Sequence, residues 1–243
     1  MPLYLILPLL AAFLYALSSI FIKRGLRDGA TTEEAFHLNN FAVALLFLPL
    51  LLFETQPVVW SQSARPLLTG VAFFVGGWLT FVAMQRGDVS LVTPLLGTKV
   101  VFVALGVVLL TGKTLSLALW LAAFLTAAGI FLIGFRDARG GRHVAFTAAI
   151  TLTSAAIFAL CDVMVVSWAP SFGPLAVLAV SAFVVGVGTV LLWLGQGRPQ
   201  LIPPRGPRGW VLTGGIIVAL QAIMLGCTLS LFNDATRINV VYA

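Results

Sequence analysis

The chain has 243 residues, of which 60% are hydrophobic and 9% charged, and its formal net charge is +6. Soluble domains carry about 25% charged residues, so this chain cannot cover a water-facing surface and a soluble globular fold is excluded. In a soluble domain the positive charge would point to nucleic acid. Here the basic residues cluster in short loops between apolar runs, where they act as a topology signal and phospholipid contacts, so no nucleic-acid partner is expected.

A helix needs roughly 20 mainly apolar residues to cross a hydrocarbon core about 30 Å thick. Eight segments qualify in chain order: 3–22, 38–53, 67–84, 89–110, 115–135, 146–168, 174–195 and 209–232. A ninth opens near Ala235 and stops at Ala243, too short to span. The first run lacks a basic leader and a cleavage site, so it reads as a retained span and not a signal peptide. Connections are short and polar, as in "KRGLRDGATTEE" and "GRPQLIPPRGPRG". The runs are too long and too uniformly apolar for a barrel's alternating strands. An all-α integral membrane bundle follows, because helices satisfy their own backbone in lipid. Cys161 and Cys227 lie inside apolar runs and read as small packing residues, with no disulfide or metal pair expected.

The chain also repeats itself. "FLYALSSI" (13–20) is similar to "AIFALCDV" (156–163) at a shift of 143, and "GDVSLVTPL" (87–95) to "NDATRINVV" (233–241) at 146. The same order at nearly the same shift predicts two five-helix repeats, over 1–137 and, incompletely, 146–243. An odd number of spans per repeat makes the copies antiparallel across the membrane, a pattern common in secondary transporters.

The stretch "GDVSLVTPLLGTKVVFVALGVVLLTGKTLSLALWLAAFLTAAGIFLIG" resembles the fourth and fifth spans of EamA-type transporters of the drug/metabolite transporter superfamily. "ALSSIFIKRGL" is similar to their first span and "NDATRINVVYA" to the entry of their ninth. The resemblance covers essentially the whole chain. It implies a ten-helix fold of two inverted repeats, with spans 1, 3, 4, 6, 8 and 9 lining a central cavity. It also implies transport of small organic metabolites, often as export, and the expected location is a bacterial cytoplasmic membrane. Against that pattern the chain ends inside its ninth span, so about 50 residues are expected to be missing. The second departure is Lys99, which stands where many family members carry a glutamate.

Lys99 is the eleventh residue of its 22-residue span, about 15 Å from either surface. That is too deep to snorkel, and a lysine there costs about 2.5–3.5 kcal/mol to insert. Either it faces the substrate path, where its charge favours a carboxylate, or it caps carbonyls freed near Pro94. A buried lysine can also exchange a proton, so proton coupling through it is one expectation. Read as a lone buried cation, its replacement by methionine should abolish transport and stabilise the bundle. Asp162 sits in the sixth span, facing the cavity or making a local polar contact near the interface, and is also a candidate partner for Lys99, a contact that one sequence cannot show. Gln221, Ser18, Ser19, Thr93 and Thr98 are candidate cavity donors, though an interhelical hydrogen bond is the more ordinary role for each. Trp78 and Tyr15 line the pocket or simply pack. Asn39 and Asn40 are expected to open the second span, and His37 and His143 to lie in loops.

The candidate substrate-binding set is therefore Lys99, Asp162, Gln221, Trp78, Ser19 and Thr98, for a secondary transporter of a small metabolite. A second class is a non-transporting scaffold or channel subunit. A third, an intramembrane enzyme, finds little support: no GxSG occurs, the histidines lie outside the expected spans, and Asp162 is the one acid well inside a span. There is no P-loop, and no cofactor is expected. Loops after odd-numbered spans hold ten basic residues and loops after even-numbered spans three. By the positive-inside rule that places the N-terminus outside the cytoplasm, whereas the resemblance implies it lies inside.

Overall fold

The computed structural model describes residues 3–86, 89–135, 142–197, 199–232 and 234–243. Among these the secondary structure is helical: α1 (Leu3–Arg27), α2 (Thr32–Phe47), α3 (Ala64–Arg86), α4 (Val89–Gly97), α5 (Lys99–Thr111), α6 (Leu117–Phe135), α7 (Arg142–Phe172), α8 (Pro174–Gly195), α9 (Arg205–Phe232) and α10 (Ala235–Tyr242). Two 3-10 segments, Leu48–Phe53 and Trp60–Gln62, lie between α2 and α3. Seven helical stretches are long and apolar enough to cross a membrane, and α6 contributes a shorter one, Leu117–Ile130. The expected turn at 87–88, Asn233, and the side chains of Thr93 and His143 lie outside the described residues.

The helices overrun the apolar runs at their polar ends. α1 continues to Arg27, with Arg24 and Arg27 in its last turn, where cations oppose the C-terminal helix dipole. α2 starts at Thr32, six residues before the apolar run that begins at 38, because a capping box starts it there. The Thr31 hydroxyl accepts the Glu34 N–H at 3.1 Å, and Glu34 Oε2 accepts the Thr31 N–H at 2.8 Å. Asn39 and Asn40 therefore sit in mid-helix, not at its opening. His37 is buried in the same helix, not in a loop, and its Nδ1–H donates to the Glu33 carbonyl at 2.7 Å. The hydrophobic run alone concealed this start, because the signal for it is polar.

The packing is inverted relative to a soluble protein. Large apolar side chains such as Phe13, Leu52, Leu109 and Leu125 are exposed, while Ser18, Thr69, Thr151, Ser154, Ser181, Thr189 and Thr228 are buried. Outside is lipid, so apolar groups gain nothing by turning inward and close backbone approach decides the interior. α1 packs along α9, α3 along α7 and α8, α2 across α8 and α9, and α5 against α7. Glycines permit the closest crossings. A Cβ on Gly214 would lie 2.6 Å from Ile22 Cγ1, and one on Gly70 would lie 2.6 Å from the Ser181 carbonyl oxygen. Hydrogen bonds cross the same seams. Ser154 Oγ donates to the Gly76 carbonyl at 2.7 Å, Ser181 Oγ to the Pro66 carbonyl at 3.0 Å, and Asn40 Nδ2 to Thr189 Oγ1 at 3.0 Å.

Candidate functional site

The fourth span is two helices. Pro94 has no N–H, and its ring crowds the preceding turn. The break falls at Thr98, four residues on, between α4 and α5. There the Thr98 hydroxyl and backbone N–H both donate to the Leu95 carbonyl, at 2.6 and 3.2 Å. The Leu95 carbonyl is thus held by Thr98, and the Lys99 ammonium, from the first residue of α5, reaches elsewhere.

It reaches α7. Lys99 Nζ donates to Asp162 Oδ2 at 2.8 Å, and the two side chains are 16% and 5% exposed. The ammonium also lies 5.4 Å from the centre of the Tyr242 ring on α10, within cation–π range. The Tyr242 hydroxyl accepts from Gln221 Nε2 on α9 at 3.1 Å. The Tyr15 ring on α1 stands 6.4 Å from that of Tyr242. Five helices therefore bring one side chain each to one place within the bundle. Three of the six residues picked out from sequence, Lys99, Asp162 and Gln221, are joined there through Tyr242.

The other three lie elsewhere or are engaged locally. The Thr98 hydroxyl is bound to its own turn. Ser19 is exposed and its hydroxyl donates to the Tyr15 carbonyl at 2.9 Å, while buried Ser18 donates to the same oxygen at 2.7 Å. Trp78 belongs to an aromatic group between α2 and α3, with ring centres 5.1 Å from Phe81 and 5.9 Å from Phe36. Sequence reasoning missed Tyr242 altogether. A tyrosine near the end of an apolar stretch carries no distinguishing signal until α10 is folded against α1 and α5.

A cleft of about 450 Å³ lies further along α5 and α7, and neither Lys99 nor Asp162 lines it. Val163, next to Asp162, and Val107, about two turns along α5 from Lys99, form part of its wall, with Ser167 and Pro170 from α7. Its rim carries Lys113, Asp234 and Arg237, and Arg237 Nε lies 3.4 Å from Asp234 Oδ2.

On the same end of α7 a further contact was not foreseen. Glu54, just past the second span, reaches the start of α8, where Oε2 accepts the N–H groups of Leu175 and Ala176 at 2.8 and 2.9 Å. Oε1 accepts the Gln56 N–H at 3.0 Å. Partial burial pushes the carboxyl's pKa up, but the N–H donors of Gln56, Ala176, Leu175 and Thr55 outweigh it and hold the group below its ordinary value. Gly173, at φ +126°, makes the turn; a Cβ there would lie 2.9 Å from Glu54 Oε2.

Residues 2–135 match the EamA-like transporter family. An uncharacterized transporter of Archaeoglobus fulgidus is 30% identical over 132 residues, covering 53% of this chain and 47% of that protein. The match thus spans about half the length of that relative. A solved crystal structure superposes with a TM-score of 0.69 at 16% identity, over 97% of this chain and 86% of that one; at that identity the likeness is one of fold. The family match extends over more than half of the chain and takes in α1 through α6, so this integral membrane protein belongs to the EamA-like transporter family.

Proposed function

We propose that this protein acts as a secondary transporter that exports a small, carboxylate-bearing metabolite across a bacterial cytoplasmic membrane by alternating access. The observation that carries the reading is the buried Lys99–Asp162 pair. A mid-membrane ion pair is costly and weak as a stabiliser, and intramembrane charges commonly mark a transport path. The cleft of about 450 Å³ between α5, α7 and α10 is of a size that suits a small metabolite.

The division into two inverted repeats, 1–137 and 146–243, is supported by the packing. Exchange α1 with α7, α2 with α8, α3 with α9, and α4–α5 with α10. The α1–α9 contact then maps onto α3–α7, α2–α9 onto α3–α8, and α1–α10 onto α5–α7, while α2–α8 maps onto itself. Lys99 comes from the first half and Asp162 from the second, so the pair lies where the halves would move against each other.

The test is uptake of candidate metabolites into proteoliposomes with a substrate gradient. Lys99→Met and Asp162→Asn should each abolish carrier-mediated flux, and Lys99→Arg should retain part of it. Saturable, undiminished transport in Lys99→Met would overturn this assignment of the site. Flux that never saturates would favour a channel subunit.

A further inference from the structure

We infer that Asp162 is the proton site of this protein, and that it takes up one proton with each substrate carboxylate, which replaces it on Lys99. This rests on the reading of the Lys99–Asp162 pair as the substrate site. Lys99 is already partnered, at 2.8 Å, so its cation is not simply waiting for an anion. With Asp162 ionised, an incoming carboxylate meets a neutral pair and the Asp162 charge cancels the pull of the ammonium. The site can accept that carboxylate only by carrying a net negative charge in mid-membrane. With Asp162 protonated the ammonium is uncompensated, and the substrate carboxylate restores neutrality.

The charges balance in both states. Empty, the site holds Lys99⁺ and Asp162⁻; loaded, it holds Lys99⁺, substrate carboxylate⁻ and neutral Asp162. The proton comes from water and binds a carboxylate oxygen of Asp162, and the Lys99 N–H changes acceptor from Asp162 Oδ2 to the substrate. No covalent bond other than that O–H is made.

The surroundings restrict the proton to Asp162. Among the described residues, the titratable groups facing it are Lys99 from α5, the Tyr242 phenol from α10 with Tyr15 of α1 beyond it, and the buried thiol of neighbouring Cys161 on α7 itself. No second carboxylate or cation faces it from the described side chains of α3, α4, α8 or α9. Phenols and thiols are far weaker acids than carboxyls. The Tyr242 ring gives the ammonium a resting contact while its acceptor changes. A zwitterion would behave differently: its ammonium would take Asp162, its carboxylate Lys99, and no proton would be needed.

Calorimetry on the protein in lipid nanodiscs tests this, with monocarboxylates from acetate to benzoate as probes and benzamide and glycine as controls. Buffers of different ionisation enthalpy report proton uptake. One proton should accompany each bound monocarboxylate, and affinity should rise about tenfold per pH unit of acidification. Benzamide should not bind. Asp162→Asn should bind benzoate with no proton uptake and no pH dependence. Where that variant does not fold, infrared spectra of the wild type supply the answer: benzoate should produce the C=O stretch of a protonated carboxyl that shifts with ¹³C-aspartate. Benzoate binding without proton uptake, failure of every monocarboxylate to bind, or pH dependence surviving in Asp162→Asn would overturn the inference. Glycine binding lost in Lys99→Met, with no monocarboxylate bound at any pH, would overturn the proton step and keep the site. Benzoate binding unchanged in Lys99→Met would overturn the site itself.

Discussion

A double-mutant cycle on Lys99 and Asp162 tests the central contact without any substrate. The side chains are 16% and 5% exposed and 2.8 Å apart. Removing one member of such a pair leaves the other's charge buried, which costs about 3–5 kcal/mol. Lys99→Met and Asp162→Asn should therefore each destabilise the bundle by that amount. The double variant leaves no charge and only a buried amide, at a cost of about 1–3 kcal/mol. The single losses sum to roughly 6–10 kcal/mol, so the coupling energy should be at least about 3 kcal/mol. Reversible unfolding in mixed micelles measures each corner of the cycle. Additivity within about 0.5 kcal/mol would mean that the charges do not meet, and the site as described would fail. The contact also reverses the sign expected from sequence: removing a lone buried cation should stabilise, whereas removing half of a pair should not.

Three further outcomes are expected. Glu54→Gln should cost about 1 kcal/mol near neutral pH, the ordinary worth of a helix N-cap. Because the Glu54 carboxyl's pKa is lowered in the fold, its contribution is present above the unfolded carboxyl's pKa and is lost as pH falls through the folded one. Acid titration of thermal stability should thus bring the wild type down toward the variant, and parallel curves would refute the cap. Gly70→Ala should force α3 off α8 and cost about 1–3 kcal/mol, since the new Cβ would sit 2.5 Å from Val184 Cβ; an unchanged melting temperature would refute that crossing. Gln200→Cys, in a loop after an odd-numbered span, should resist an impermeant thiol reagent on intact cells and react after permeabilisation, as the ten-to-three charge bias requires. Labelling of intact cells would place the N-terminus inside.

The bundle was legible because hydrocarbon thickness sets span length, so each expected apolar run is helical, the fourth as two helices, α4 and α5. What escaped were the polar details. The Thr31–Glu34 capping box and the Thr98 break are written in hydroxyls and a carboxylate, which a hydrophobicity reading passes over. Lys99 and Asp162 stood out individually, because charges are rare at that depth, but 63 residues separate them and no spacing rule joins them. The repeat does not join them either. Shifted by 143, Ser19 aligns with Asp162, yet Ser19 is exposed and Asp162 buried. Equal place in a repeat does not give equal surroundings, because what covers each copy comes from a different part of the chain.

The mutual neutralisation of Lys99 and Asp162 has a consequence for membrane voltage. Moving one unit charge through a potential of 100 mV takes about 2.3 kcal/mol. In the alternating-access cycle proposed above, the empty site, holding one positive and one negative group 2.8 Å apart, would carry no net charge as it turned from one side to the other. The resting potential would then neither hasten nor hold back the return of the unloaded protein, and electrical driving force could act only on whatever net charge the cargo brings in.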